Sequence, residues 1–390
     1  MSNNKKDVKA LILSGGGVKG AFQYGALDYI YNHVLKRDEN FKIICGVSAG
    51  AMNGAMVAQN KFERGKEIWD EQIESNVTLF NFRFSRLTLI LYCILPGIAL
   101  YKKLKNTDFL FKNEGLRKKI AGECKELVKN LKENDTYLRL GVVNYQTGKY
   151  ISVDPTDTKS NEEAVDVIMA STSIPLAFPR VLMFPPGQKD KKKKYQYFDG
   201  GVINITPFKD IFDITRQLDF QKKYNLTHIY SVLCSPLSTR ETEQYYNNLF
   251  DIAARTLDIS GNEIYKNDLE LFNRANAYVL FRNELEKKLS DKKKELDEIY
   301  EIIHGKAKFN IKKYSTASNI VIAPEPSKWI DFLKSDEYNP KKLLTWKNGN
   351  SSDELFWKQF PTTLTKTPKR LRAAYDFGRF MANEILGPKR

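Results

Sequence analysis

The sequence predicts an α/β fold built on a mostly parallel sheet, and three observations predict it. Apolar runs of strand length alternate with segments of helical periodicity, glycine-rich turns stand where strand passes into helix, and 42% of the 390 residues are apolar, enough for a sizeable core. No internal repeat or long low-complexity linker interrupts the pattern, so one decorated domain spanning residues 1–390 is expected.

Val8–Ser14 reads as the first strand; three glycines follow, and then a helical pattern from Gly20 to Val34. Phe41–Val47 (FKIICGV) is a second apolar strand, and Ala49–Gln59 a second helix, which together make βαβ units. Further strands are expected at Tyr137–Asn144, Tyr195–Asp199, Thr227–Leu233 and Asn319–Ala323. Residues 76–135 read as a cap insertion carrying a lysine-rich helix around Leu116–Leu131. Residues 250–313 read as a helical insertion, in which Asn283–Lys308 is dense in opposite charges at helical spacing, and residues 324–390 as a C-terminal helical extension. The charged stretch suits a solvated helix laced with local ion pairs, or a helix that binds a partner or a second copy.

Lysine and arginine outnumber aspartate and glutamate by 62 to 47, which favours anionic partners such as phospholipid headgroups or nucleic acid without choosing between them. Cys45, Cys93, Cys124 and Cys234 lie far apart without CxxC spacing, so neither a disulfide framework nor a structural zinc is expected, and a reducing compartment fits. The N-terminal apolar stretch reads as a strand and not a signal peptide, which makes a cytoplasmic protein the expectation. Leu87–Tyr101 is apolar over fifteen residues, with Pro96 and Gly97 inside it and Arg83, Arg86, Lys102, Lys103 and Lys105 around it. That falls short of the roughly 20 residues of a spanning helix. It suits a buried cap segment, or a surface that dips into a lipid interface.

Gly15, Gly17 and Gly20 satisfy GxGxxG between a strand and a helix, the arrangement of a dinucleotide site. Such a site also wants an acid at the end of the second strand, but Asp38 and Glu39 precede that strand. At its end stands Gly46-Val47-Ser48-Ala49-Gly50, a GxSxG turn that lifts a serine oxygen clear of the backbone and places it at a helix N-terminus. A serine nucleophile needs a base. Of the three histidines, His33 precedes the serine, His304 lies in the charged insertion, and His228 sits within a strand-like run, where it suits the core better than a triad. A histidine-independent mechanism is therefore open.

Gly15-Gly16-Gly17-Val18-Lys19-Gly20, Gly46-Val47-Ser48-Ala49-Gly50 and Asp199-Gly200-Gly201 resemble, in order, the glycine loop, nucleophile elbow and DGG motif of patatin-like phospholipases. Ala170–Pro175, Phe178-Pro179 and Asp199–Pro207 agree with that pattern, whereas Ser14 stands where relatives often carry an acid or glycine. The resemblance implies a three-layer patatin-like fold and a serine–aspartate dyad cleaving fatty-acyl esters of phospholipids or lysophospholipids. Ser48 is then the nucleophile, Asp199 the general base, and the N–H groups of Gly15, Gly16 and Gly17 an oxyanion hole, with Lys19 as the family's basic position. It implies no metal or nucleotide cofactor, a phospholipid membrane surface, preferably anionic, as partner, peripheral membrane attachment, and no nucleic acid. Lys189–Lys194 (KDKKKK) is either a solvated hairpin tip or a patch that seats the protein on anionic lipid. An alternative also follows from the resemblance: some bacterial relatives are effectors of defence or signalling switched on by a small nucleotide, and the extra helices are room for such an activator or for an oligomer interface. A binding protein that uses the GxGxxG without catalysis is the remaining reading.

Overall fold

The structure, a computed structural model, describes residues 5–37, 39–74, 81–82, 109, 111–186, 193–238, 249–292, 295, 298–299, 317–335, 338, 351–361 and 367–388. Its first strand, β1 (Lys6–Leu13), shows why the layers form. Ala10 and Ile12 pack into one core and Leu11 and Leu13 into another, all fully buried, as period-two alternation requires of a strand covered on both faces.

The chain then runs through α1 (Gly20–His33), β2 (Ile43–Gly46), α2 (Ala49–Ala58) and α3 (Phe62–Glu74). Two short strands, β3 (Asn81–Phe82) and β4 (Phe111–Lys112), pair with each other, and α4 (Glu114–Glu123) and α5 (Leu127–Glu133) follow. Next come β5 (Tyr137–Asn144), β6 (Lys149–Val153), α6 (Asn161–Ser171), β7 (Val181–Met183) and β8 (Tyr195–Asp199). The remainder comprises α7 (Phe208–Thr215), α8 (Leu218–Lys223), β9 (Tyr224–Val232), α9 (Leu249–Lys288), β10 (Ser318–Ile322), α10 (Trp329–Lys334), α11 (Ser352–Gln359) and α12 (Pro368–Leu386).

Among the described residues the main sheet has eight strands in the order β10-β9-β1-β2-β5-β8-β7, with β6 also paired to β5. From β10 to β5 all pairings are parallel, and β6, β7 and β8 add antiparallel ones. One face carries α1 to α6 and α10 to α12, whose Phe22, Ile168, Trp329, Phe356 and Phe377 share one core; the other carries α7, α8 and α9 through Ile211, Phe220 and Phe272. The expected three-layer α/β arrangement is the one found. The C-terminal helices belong to the same core as α1. Gly25 of α1 and Gly378 of α12 mark their crossing, where a Cβ at either position would lie 1.7 Å from the Tyr375 carbonyl oxygen or 2.0 Å from that of Phe22.

Two expectations need correction. The helix expected around Leu116–Leu131 is two helices broken at Cys124-Lys125-Glu126, a turn after Gly122 that lets Leu116 and Ile120 of one and Leu127 and Leu131 of the other all be buried. Within the expected helical insertion, α9 is one 40-residue helix from Leu249 to Lys288. Strands β6 and β7 extend the sheet beyond the expected set. The apolar run Leu87–Tyr101, Cys93, His304, most of the first insertion as far as residue 110, and Lys189–Lys192 lie outside the described residues. Among the described residues no helix is long and apolar enough to cross a membrane.

Candidate active site

Register places the two motif residues at one level. Gly46, the last residue of β2, pairs with Leu140 of β5; two residues further along β5, Val142 pairs with Asp199 at the end of the oppositely running β8. Ser48 lies two residues beyond Gly46. The elbow and Asp199 therefore meet across β5, with the Ser48 hydroxyl close enough to the Asp199 carboxylate to favour its ionised form.

Ser48 takes φ 57° and ψ −125°, in the left-handed region that a residue with a side chain adopts only under constraint, at about 1–3 kcal/mol. The constraint is visible. The Val47 N–H donates to the Leu13 carbonyl at 3.2 Å, and a Cβ on Gly50 would lie 2.0 Å from that same oxygen. The Ser48 N–H donates to Ser171 Oγ at 3.0 Å, and Ser171 Oγ donates to the Gly141 carbonyl at 2.7 Å. Two residues on, the Ser173 carbonyl accepts the Asp199 N–H at 2.9 Å. The stretch Ala170–Pro175 thus braces the elbow and anchors the aspartate, a role its sequence alone did not disclose.

Asp199 is 4% exposed, and burial pushes its carboxyl up to about 7; the Ser48 hydroxyl and the Gly201 N–H, at 2.8 Å, oppose that rise. A carboxylate held near neutrality can both take and return a proton at physiological pH.

The glycine loop joins β1 to α1 beside the elbow. Gly17 has φ 57°, and it lines a cavity of about 140 Å³ together with Ser48. That cavity is apolar near the serine, with Val18, Met52, Met56, Ile68 and Ile168 in its wall, and Lys119 and Glu123 line it too. The three glycines do not offer three free donors. The Gly15 N–H donates to the Ile205 carbonyl at 3.3 Å, whereas those of Gly16 and Gly17 make no hydrogen bond within the described residues. Lys19, expected with the hole, is buried and donates from Nζ to Ser235 Oγ at 2.6 Å, beyond the end of β9. A buried amide network holds the loop from α1 and α2: Gln23 Nε2 donates to the Ser14 and Val232 carbonyls at 2.9 and 3.0 Å, and Asn53 Nδ2 to Gln23 Oε1 at 2.9 Å.

His228 lies four residues before the end of β9, with Nδ1 3.0 Å from Thr227 Oγ1, and His33 ends α1. Neither is part of the Ser48–Asp199 arrangement. Among the described residues no group of three or more His, Cys, Asp and Glu side chains is placed to hold a metal ion.

A family model described as Patatin-like phospholipase matches residues 11–212. Among curated proteins none matches the chain. Among solved structures, one titled "Crystal structure of VipD from Legionella pneumophila" aligns over 97% of this chain and 67% of its own at 14% identity, with a TM-score of 0.36.

Asp199 is joined by two other acids, the buried Asp210, pushed up to about 6 by burial, and the half-buried Asp268, pushed up to about 7 by burial and by the Asp210 charge. The folded state thus keeps these protons at pH values where the unfolded chain, with carboxyls near about 4, has lost them. Stability is greatest below the unfolded value and falls as pH rises through the folded ones. Thermal midpoints are expected to drop between pH 5 and pH 8, and Asp199→Asn is expected to shrink that drop; a midpoint rising steadily over the interval would contradict the assignment.

Proposed function

The chain belongs to the patatin-like phospholipase family, whose members are lipid acyl hydrolases, and from that premise we propose that it cleaves fatty-acyl esters of phospholipids or lysophospholipids by a Ser48–Asp199 dyad. The observation that carries the reading is the convergence, across β5, of the strained, elbow-mounted Ser48 and the buried Asp199, whose carboxyl burial raises to about 7.

In the acylation step Ser48 Oγ attacks the ester carbonyl carbon while its proton passes to Asp199. The oxygen that gains the negative charge is held by the N–H groups of Gly16 and Gly17. Collapse breaks the bond to the glyceryl oxygen, which takes the proton from Asp199 and leaves as the alcohol. A water then gives its proton to Asp199 and attacks the acyl carbon. Collapse of that second intermediate releases the fatty acid and returns the proton to Ser48. One carboxylate serves both halves, so no histidine is required. The apolar cavity beside Ser48 suits the acyl chain.

Ser48→Ala is expected to remove fatty-acid release from phospholipid vesicles, and Asp199→Asn to lower it by about 10²–10⁴-fold while the fold persists. Because the base must be ionised, kcat/KM is expected to rise with pH along one limb centred near the carboxyl value of about 7. Wild-type rates in Asp199→Asn would assign the base elsewhere.

A membrane surface is the proposed partner. Leu176, 77% exposed, lies between two cavity-lining residues, Ile174 and Phe178, and Val202 and Ile203, 48% and 43% exposed, directly follow Asp199-Gly200-Gly201. Apolar side chains offered at the rim of such a site, on a chain of net charge +15, suit insertion into an anionic interface. Leu176→Asp is expected to slow hydrolysis of anionic vesicles several-fold and leave a soluble short-chain ester unaffected; equal loss on both substrates would place Leu176 in the site itself.

A further inference from the structure

The glycine loop is held from behind by a helix far along the chain. Tyr265 of α9, 1% exposed, brings its hydroxyl 2.8 Å from Ser14 Oγ and 2.9 Å from the Gly15 carbonyl oxygen, and Ser14 Oγ accepts the Cys234 N–H at 2.9 Å. Ser14 Oγ also reaches the Gly15 carbonyl oxygen, at 3.2 Å, so the chain runs from the Cys234 N–H to Ser14 Oγ and on, through the Ser14 and Tyr265 hydroxyls, to the Gly15 carbonyl. The three residues involved, Ser14, Cys234 and Tyr265, are all buried.

The peptide that ends this chain is the one joining Gly15 to Gly16. In a planar trans peptide the C=O and N–H point in opposite directions. A donor that fixes the Gly15 carbonyl on the α9 side therefore aims the Gly16 N–H away from α9, and polarises it as a donor in its own right. The other half of Gly15 is fixed as well, because its N–H is taken by the Ile205 carbonyl, and Ile205 is packed where a Cβ on Gly261 of α9 would lie 3.4 Å from its Cδ1. On the elbow side, a Cβ on Gly15 would be 3.3 Å from Ser48 Cβ, so the loop lies against the serine. The second free donor is set independently: the Lys19 N–H holds the Gly16 carbonyl at 3.2 Å, which orients the Gly17 N–H.

We propose that Tyr265 is a positioning residue for ester hydrolysis: its hydroxyl, delivered by α9, fixes the Gly15–Gly16 peptide so that the Gly16 N–H meets the developing oxyanion. The inference rests on the Ser48 dyad reading. It also accounts for Ser14, which departs from the family's usual residue and here links Tyr265 to the end of β9. Control of the oxyanion hole is thereby placed in a helix outside the segment matched by the family model, residues 11–212.

The test uses the full chain and p-nitrophenyl butyrate, a soluble ester independent of membrane binding. Tyr265→Phe is expected to lower kcat by about 10- to 100-fold, less than the 10²–10³ of losing a hole donor outright, with KM changed less than about twofold. Replacing Tyr265 by 3-fluorotyrosine, a stronger donor of nearly the same shape, is expected to keep kcat at or above the wild-type value, which a packing role would not require. Ser14→Ala, which breaks the chain one link earlier, is expected to give a smaller loss in kcat. A kcat within twofold of wild type in Tyr265→Phe, alongside an inactive Ser48→Ala, overturns the inference and leaves the dyad standing. Full activity in Ser48→Ala overturns both. Should Tyr265→Phe not fold, the fluorotyrosine and Ser14→Ala proteins decide: a fall in both kcat and thermal midpoint with 3-fluorotyrosine, or an unchanged kcat in Ser14→Ala, rejects the positioning role.

Discussion

Two backbone turns, at the ends of neighbouring parallel strands, approach more closely than any side chain would allow, and the site depends on that approach. Leu13, at the end of β1, accepts the Val47 N–H, while Gly50 packs directly on the same carbonyl; a Cβ on Gly46 would in turn lie 2.3 Å from the Gly50 oxygen. The glycines of GxSxG are thus required by contact as well as by conformation. Squeezed between the β1 turn and the Ser171 brace, Ser48 keeps a backbone conformation it would not hold alone. Its hydroxyl is thereby presented to a carboxylate arriving on an antiparallel strand.

Each layer of the fold contributes a different part. The α1–α6 face supplies the apolar cavity, the elbow helix and the Gln23–Asn53 amide network that grips the loop from within. From the opposite face, α9 holds the back of the same loop through Tyr265. The sheet between them sets the level at which Ser48 and Asp199 meet. Burial of Asp199 serves the chemistry at a cost to stability, since an ionised carboxylate without a cationic partner is disfavoured in the interior. The surrounding core, which includes the aromatic cluster of Trp329, Phe356 and Phe377, offsets that cost.

Much of this was legible from residue order alone. Strands β2, β5 and β8 and the starts of α1 and α2 lie where apolar runs and glycine turns place them, and β2 (IICG), buried at every residue, shows the uninterrupted apolar signature of a strand covered on both faces. Short antiparallel strands such as β7, three residues long and partly exposed, leave none. Ser48 and Asp199 could be singled out because each sits in a turn motif. Which N–H groups of the glycine loop remain free could not, since Gly15 is engaged by Ile205, a partner 190 positions away. Tyr265 was hidden for the same reason: on an amphipathic helix it reads as one more core aromatic, and only the folded arrangement brings it to Ser14, 251 positions away.

The most direct test of the central claim is covalent trapping with a fluorophosphonate, which phosphonylates an activated serine, followed by mass spectrometry of the digested protein. The account predicts one adduct per chain, on Ser48, formed in step with loss of ester hydrolysis and formed far more slowly in Asp199→Asn. Inhibition through an adduct on any other residue, or hydrolysis that persists once Ser48 is fully modified, would contradict it.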